Sequence, residues 1–354
     1  MLLVADKAEI ERVVLRGKNT EQLKRTNDIF STIIPTSLIS LPTNDTWKRH
    51  RRLTGPSMSR RYLGRMSIRM LAEAKNLVRV WTQKATLGRG AAFDADIDLQ
   101  MSTLVSKLNI TIGRSPQCLG SAFTASLVTA PTPTSSHGIV DFSNSESSSL
   151  HSIMRVMMQG IERVSSAAFP ALTARLFLWT SPTWRNSYTV FTAFFKEEID
   201  RARAREEEIP EVAGNTLATD ADCVLDMLLQ REKREGAEKL SERELLDELL
   251  TYVIAGQDST ASALAWLVKF LASDAEVQRQ LHEEMTAVLG PDISHDAELD
   301  YNALDSTERV PVLEAVVAET LRCANVGSLT GRERKYVYYN LLAFAYLYDD
   351  PSDK

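Results

Sequence analysis

The chain has 354 residues, 44% hydrophobic and 25% charged, which is enough apolar material to bury a large core and falls in the range of ordinary globular domains. A formal net charge of -6 argues against a general nucleic-acid binder, which carries a basic face, so no nucleic acid is expected as a partner. The three cysteines, at positions 118, 223 and 323, are isolated and odd in number, which excludes a disulfide framework and a paired-cysteine zinc site.

Residues 5 to 16 predict a short amphipathic helix with Ile10, Val13, Val14 and Leu15 on one side and Gly17 ending it. The opening M-L-L-V-A-D-K-A-E brings charges too early for a signal peptide or membrane anchor, and no later window holds the ~18 uncharged apolar residues of a membrane span, so a soluble or peripheral chain is expected. Residues 29 to 42 have no helical period and predict a loop. Asn44, Asp45 and Thr46 are cap-type residues ahead of Trp47-Lys48-Arg49-His50-Arg51-Arg52, a basic turn at a helix start. Cations are disfavoured there by the helix dipole, so the cluster reads either as a site for an anionic partner or as a solvated face with Trp47 stacked by Arg51, four residues on.

Residues 62 to 86 continue as helix, and Phe93, Ile97, Leu99, Met101, Leu104, Val105 and Leu108 allow another. The stretch 111 to 150, with its T-A-P-T-P-T-S-S and S-N-S-E-S-S-S runs, predicts irregular or disordered chain. Helical periodicity returns at Leu150 to Val164 and Asn186 to Arg205, with aromatic residues concentrated between Phe169 and Phe195. The tract R-A-R-A-R-E-E-E-I-P-E reads as a solvated helix end, and Asp220 to Arg234 as one more helix.

The dominant element is Ser241 to Ser273. Ser241 and Glu244 form a capping-box signature, and apolar residues recur at helical spacing on both sides of a polar centre, predicting one rod of about 33 residues and roughly 50 Å. At that centre stand Gly256, Gln257, Asp258, Ser259 and Thr260, a glycine and an acid that a buried helix keeps at a cost. Local widening of the helix is expected there. The polar turn admits two readings, an exposed kink or a place where a ligand approaches the backbone. Ser273 with Glu276 predicts a second capping box, Gly290-Pro291 a stop, and Pro311 the first turn of a helix to Cys323 that carries Glu319-Thr320-Leu321-Arg322.

Three of these stretches, in this order, resemble motifs of the cytochrome P450 family: Trp47-x-x-x-Arg51 with the following R-L-T-G-P-S-M-S, A-G-Q-D-S-T at Ala255 to Thr260, and Glu319-x-x-Arg322 within V-L-E-A-V-V-A-E-T-L-R. The resemblance implies a mainly α chain, a partial cytochrome P450 fold built around one long central helix with most of the small β-sheets missing. It implies haem b as cofactor and O2-dependent hydroxylation of an apolar small molecule, with Asp258 relaying protons, Ser259 in place of the usual threonine beside bound oxygen, and Thr260 in the last motif position. Ala255 and Gly256 are then the backbone beside the haem. Trp47 and Arg51, with His50, neutralise the haem propionates, and Glu319 and Arg322 form a buried pair supporting the haem core. The same resemblance implies an NADPH-dependent reductase as electron donor, docking on the face of Lys48 and Arg52, and residence at the cytoplasmic face of the endoplasmic reticulum.

The chain departs from that pattern at its ends. The family's iron-binding cysteine sits in Phe-x-x-Gly-x-x-x-Cys-x-Gly. Cys118 has Thr111 and Arg114 where Phe and Gly belong, and Cys223 and Cys323 lie on predicted helices without the glycines. No metal ligand is therefore assigned. Residues 1 to 330 read as a truncated P450-like domain lacking the N-terminal anchor and the thiolate loop, and residues 331 to 354 as an unrelated tail. The expectation for the chain alone is a haem-free, inactive polypeptide. A haem-free helical pseudo-enzyme or interaction protein is the alternative function.

Overall fold

The computed structural model describes residues 6–14, 20–114, 132–134, 139–142, 149–208, 221–234, 239–290, 301–324 and 332–334. Helices dominate, in the order Lys7–Val14, Lys24–Phe30, Asp45–Thr54, Arg60–Leu87, Asp96–Ile112, Ser149–Ser165, Pro170–Thr180, Pro182–Glu208, Val224–Arg234, Glu242–Ser273, Ala275–Leu289, Tyr301–Leu304 and Pro311–Ala324.

Glu242–Ser273 runs through the centre as one helix, and both halves of the predicted capping box are made at Ser241 and Glu244. Leu245, Leu249, Leu250 and Val253 are fully buried, and Asp96–Ile112 packs along them with Leu104 and Leu108. The core closes on the other side with Met154 and Met157 from Ser149–Ser165 and with Phe191, Phe195 and Ile199 from Pro182–Glu208. The expected widening at Gly256 to Thr260 is absent. The turn remains α-helical, with the Ser259 hydroxyl donating back to the Ala255 carbonyl (2.7 Å) and the Thr260 hydroxyl to that of Gly256 (2.6 Å).

The polar spacing misplaces one cap. Ser273 is the last residue of the long helix, and the next helix is capped by Asp274, whose carboxylate accepts from the amides of Glu276 and Val277. The loop expected from residue 29 begins later, since Lys24–Phe30 is helical and turns follow to residue 42. The aromatic-rich span forms two helices, each opened by a proline in its first turn, Pro170 and Pro182. Gly160 lets them seat: a Cβ there would collide with the buried Trp184 indole.

Of the stretch 111 to 150, the described elements are the end of one helix at Ile112, an antiparallel pair, Thr132–Thr134 with Ile139–Asp141, and the start of helix Ser149–Ser165. Cys118 lies outside the described residues. A second pair joins Thr20–Gln22 to Arg332–Arg334, beyond the expected boundary at residue 330. No helix among the described residues is long and apolar enough to cross a membrane.

Candidate active site

Past Ile254 one face of the long helix opens: Ala255, Asp258 and Ser259 come out exposed at the i, i+3, i+4 spacing of a single stripe, while Gln257 and Ala261 stay buried. An apolar pocket of about 170 Å³ lies against this stripe, walled by Phe30, Ile34 and Ile39 on one side and by Met158 and Ile161 on the other. Helix Ser149–Ser165, read from sequence only as periodic, therefore supplies the roof. A larger cavity of about 600 Å³ adjoins it, sharing Met158, Ile161 and Asp258. The sequence-predicted Asp258 and Ser259 are thus brought together at the edge of an apolar pocket, and Thr260 lies on the half-buried side, its hydroxyl satisfied by the helix.

Gly256 has a different neighbour from the one its motif implied. The space beside it is filled by Lys107 of helix Asp96–Ile112, whose Cε would stand 2.9 Å from an added Cβ. Burial holds the Lys107 ammonium below its ordinary pKa.

The basic helix Asp45–Thr54 divides its residues between two environments. Asn44 caps it, accepting from the Trp47 amide at 2.9 Å. Trp47 is half-buried, while Lys48, Arg51 and Arg52 are exposed. Arg51 stands near enough to the long helix for its charge to act on the Tyr252 phenol, which burial nonetheless raises to about 12. His50 is fully buried, with Nδ1 2.7 Å from Glu248 and Nε2 3.2 Å from Glu244. Both partners are carboxylates, so a protonated ring can donate to both, although the Arg49 guanidinium also lies 3.4 Å from the same Nε2. Burial alone pulls its pKa down, but the hydrogen bonds and charges of Glu248 and Glu244 outweigh burial and raise it. Arg49 adds a second cation on Glu244. Of the three residues expected at the haem propionates, His50 is thus committed to the long helix, whereas Trp47 is half-buried, Arg51 is exposed, and neither lines the pockets beside Ala255 and Asp258.

The two helices are also tied to the preceding segment. Asp247 accepts from the Thr36 amide (2.9 Å) and hydroxyl (2.8 Å), and Glu248 from the Leu38 amide (2.7 Å). Sequence reasoning singled out Glu244 only as half of the capping box and passed over Asp247 and Glu248. Their signal was three acids at i, i+3, i+4 inside an otherwise apolar helix face, which marks acids kept for a partner.

Glu319 and Arg322 do pair, through two bonds of 2.6 and 2.7 Å, and the guanidinium holds the Glu319 carboxyl down to about 2. The pair is not buried as expected. Both side chains are well exposed, at 61% and 70%, because they occupy the outward side of helix Pro311–Ala324. Cys323, one residue on, is exposed as well, and Cys223 is buried beside Asp226, where burial pushes its thiol well up. Neither lines the pockets beside Ala255 and Ser259. No cluster of three or more metal-ligating side chains occurs among the described residues.

Comparison with known proteins places this geometry in a family. The cytochrome P450 family model matches residues 1–337, and the chain belongs to that family. It is 25% identical over 314 residues to cytochrome P450 monooxygenase GME11363 of Pestalotiopsis microspora, covering 84% of this chain and 52% of that protein. It is 31% identical over 148 residues to a bifunctional cytochrome P450/NADPH--P450 reductase of Gibberella moniliformis, covering 41% of this chain and 12% of that protein. The chain thus spans about half the length of a curated relative that it matches over most of its own. Among solved structures, the cytochrome P450DA heme domain superposes with a TM-score of 0.61 at 18% identity, covering 88% of this chain and 57% of that one. The fold is therefore mainly α and P450-like, and family membership implies haem as the cofactor.

The residues present fit one side of such a group. Ala255 and Ser259 leave a small-residue face exposed beside an apolar pocket, and Trp47 and Arg51 lie on the basic helix, outside the lining of that pocket. A cysteine for the other side is not found among the described residues at these pockets.

Proposed function

We propose that this chain carries the oxygen-side half of the active site of a haem-thiolate monooxygenase that hydroxylates a small, largely apolar molecule. The observation that carries the reading is the exposure of Ala255, Asp258 and Ser259 as one stripe, emerging from a buried helix at the rim of an apolar pocket. When bound, haem would supply oxygen binding and electron transfer, and the protein's own residues do the rest. Met158, Ile161, Phe30 and Ile34 hold the apolar part of the substrate and exclude water from the pocket. The Ser259 hydroxyl, which now donates to the Ala255 carbonyl, is one rotamer change from donating into the pocket. Asp258 lies on both the apolar pocket and the polar cavity behind it, so its carboxylate can take a proton from the wetter side and pass it to the Ser259 oxygen. Trp47 and Arg51 hold propionate groups by charge-assisted hydrogen bonding.

Electrons come from an NADPH-dependent reductase. A relative that fuses a P450 to such a reductase supports this, and the exposed Lys48 and Arg52 offer it cations. Attachment to the surface of a membrane is proposed from Phe169, Leu172, Leu176 and Trp179, 53–76% exposed along one helix, in a stretch from Arg163 to Lys196 that contains no acidic residue.

The test is Asp258→Asn in the haem-loaded enzyme. Oxygen-dependent turnover should fall by about 10²–10⁴-fold, the usual worth of a positioned acid, while substrate affinity changes little. Equal loss of both would make Asp258 structural. A haem-free interaction protein is the second reading, favoured by the lack of a cysteine at the stripe among the described residues. Haem absorbance of the purified protein separates the two.

A further inference from the structure

We propose that the substrate carries a hydroxyl group remote from the oxidised carbon, and that the cavity behind Met158 and Ile161 binds it. The proposal deepens the reading of this site as a monooxygenase pocket and rests on it. The cavity is about 600 Å³, and apart from Met154, Met158 and Ile161 its lining is polar. The observation that points to a ligand is Gln257. Its residue is 2% exposed, its amide nitrogen donates weakly to the Gln100 carbonyl at 3.4 Å, and its side-chain oxygen is buried with no donor among the described residues. Buried acceptors in folded proteins are almost always satisfied.

The remaining lining groups determine what kind of group satisfies it. Glu162 and Asp258 are further acceptors, and Arg155 and the Gln159 amide are donors. His151, 4% exposed, is held below its ordinary pKa by burial and by the charge of Arg155. A carboxylate ligand would meet two carboxylates and one guanidinium. An ammonium would leave the donors unmatched. A hydroxyl both donates and accepts, so it can give its proton to Gln257 Oε1 or a carboxylate while accepting from Arg155 or Gln159. The apolar pocket continues from this cavity across Met158, Ile161 and Asp258 to Ala255 and Ser259, which sets the order along the substrate: hydroxyl end, apolar body, oxidised carbon.

The test uses 1-decanol and decyl methyl ether, similar in apolar length but differing in that only the alcohol donates. Dissociation constants for the full 354-residue chain are measured by calorimetry without haem, so the result does not depend on haem uptake, and spin-state change in the haem-loaded protein is read separately. Failure of the spin-state change alone would count against the monooxygenase reading and not against the cavity. The alcohol should bind about tenfold more tightly than the ether, the worth of one good hydrogen bond, and Gln257→Leu should bring that ratio to about one. If Gln257→Leu does not fold, the double variant R155L/Q159L at exposed positions decides, and loss of the preference there supports the proposal. Equal affinity for the two probes, no binding of either, or a preference retained in the variants would overturn it.

Discussion

His50 sits between two acids of the long helix and donates to both, so its worth depends on its charge. Because its pKa is raised in the folded state, the stabilisation is fully present below the unfolded value near 6.5 and is lost as pH rises through the folded value. Replacing His50 by Gln should cost about 3–5 kcal/mol at pH 6, the range for breaking a buried pair, and distinctly less at pH 9. Thermal melts of both proteins at the two pH values check this, and a pH-independent difference would show that only packing was lost. At this scale the sequence was half legible. Trp47, His50 and Arg51 were picked out by an excess of cations at a helix start, a local signal. Which of them turned inward depended on Glu244 and Glu248, almost two hundred residues away, and no spacing within the basic helix announces that. Glu319 and Arg322 make the same point, because their pairing follows from i, i+3 spacing whereas their exposure depends on what packs over the helix.

The elements that could be read were those with closed local chemistry. Ser241 and Glu244 satisfy each other's amides without help from the rest of the chain, so the start of the long helix was plain, and Ser241→Ala should cost about 1 kcal/mol in a denaturant titration with an unchanged slope. Ser273 and Glu276 match the same template and failed as a box because Asp274, one residue later, makes two amide bonds where the serine hydroxyl instead returns to the Lys269 and Phe270 carbonyls. Helix Pro170–Thr180, beside the roof helix Ser149–Ser165, was hidden by composition. Leucines and aromatics surround Pro170–Thr180 on most sides and leave little periodicity, and the prolines in the first turns, Pro170 and Pro182, were a signal passed over. Gly160 is the joint of that roof. Gly160→Ala would drive a methyl into Trp184 and the Phe177 ring, and it should cost about 1–3 kcal/mol even after the gain in helix propensity. Gly256→Ala meets only the flexible end of Lys107, so the same substitution there should be near neutral by the same melts. A large loss at Gly256 with none at Gly160 would reverse this assignment.

For the molecule as a whole, three short motifs placed the chain in its family because their chemistry tolerates little variation, and the match over residues 1–337 bears that out. The pocket behind Ala255 was not visible in sequence. It is built from residues 30 to 39, 158 to 161 and 251 to 259, which meet only in the fold. Cys223 is buried, with its thiol held protonated, and Cys323 is exposed beside Glu319, so Cys223→Ser and Cys323→Ser should each leave the carbon monoxide difference spectrum of the haem-loaded protein unchanged. We propose that Ala255 and Ser259 would hold a bound haem on the exposed stripe of the long helix. The most direct measurement is the methyl resonance of Ala255 in protein labelled at alanine, assigned with Ala255→Gly and followed as zinc protoporphyrin, a diamagnetic haem analogue, is added. A porphyrin held there gives a large ring-current shift of the Ala255 methyl and little change at Ala275, on the far side of Asp274. An Ala255 methyl that stays in place at saturating porphyrin would contradict it.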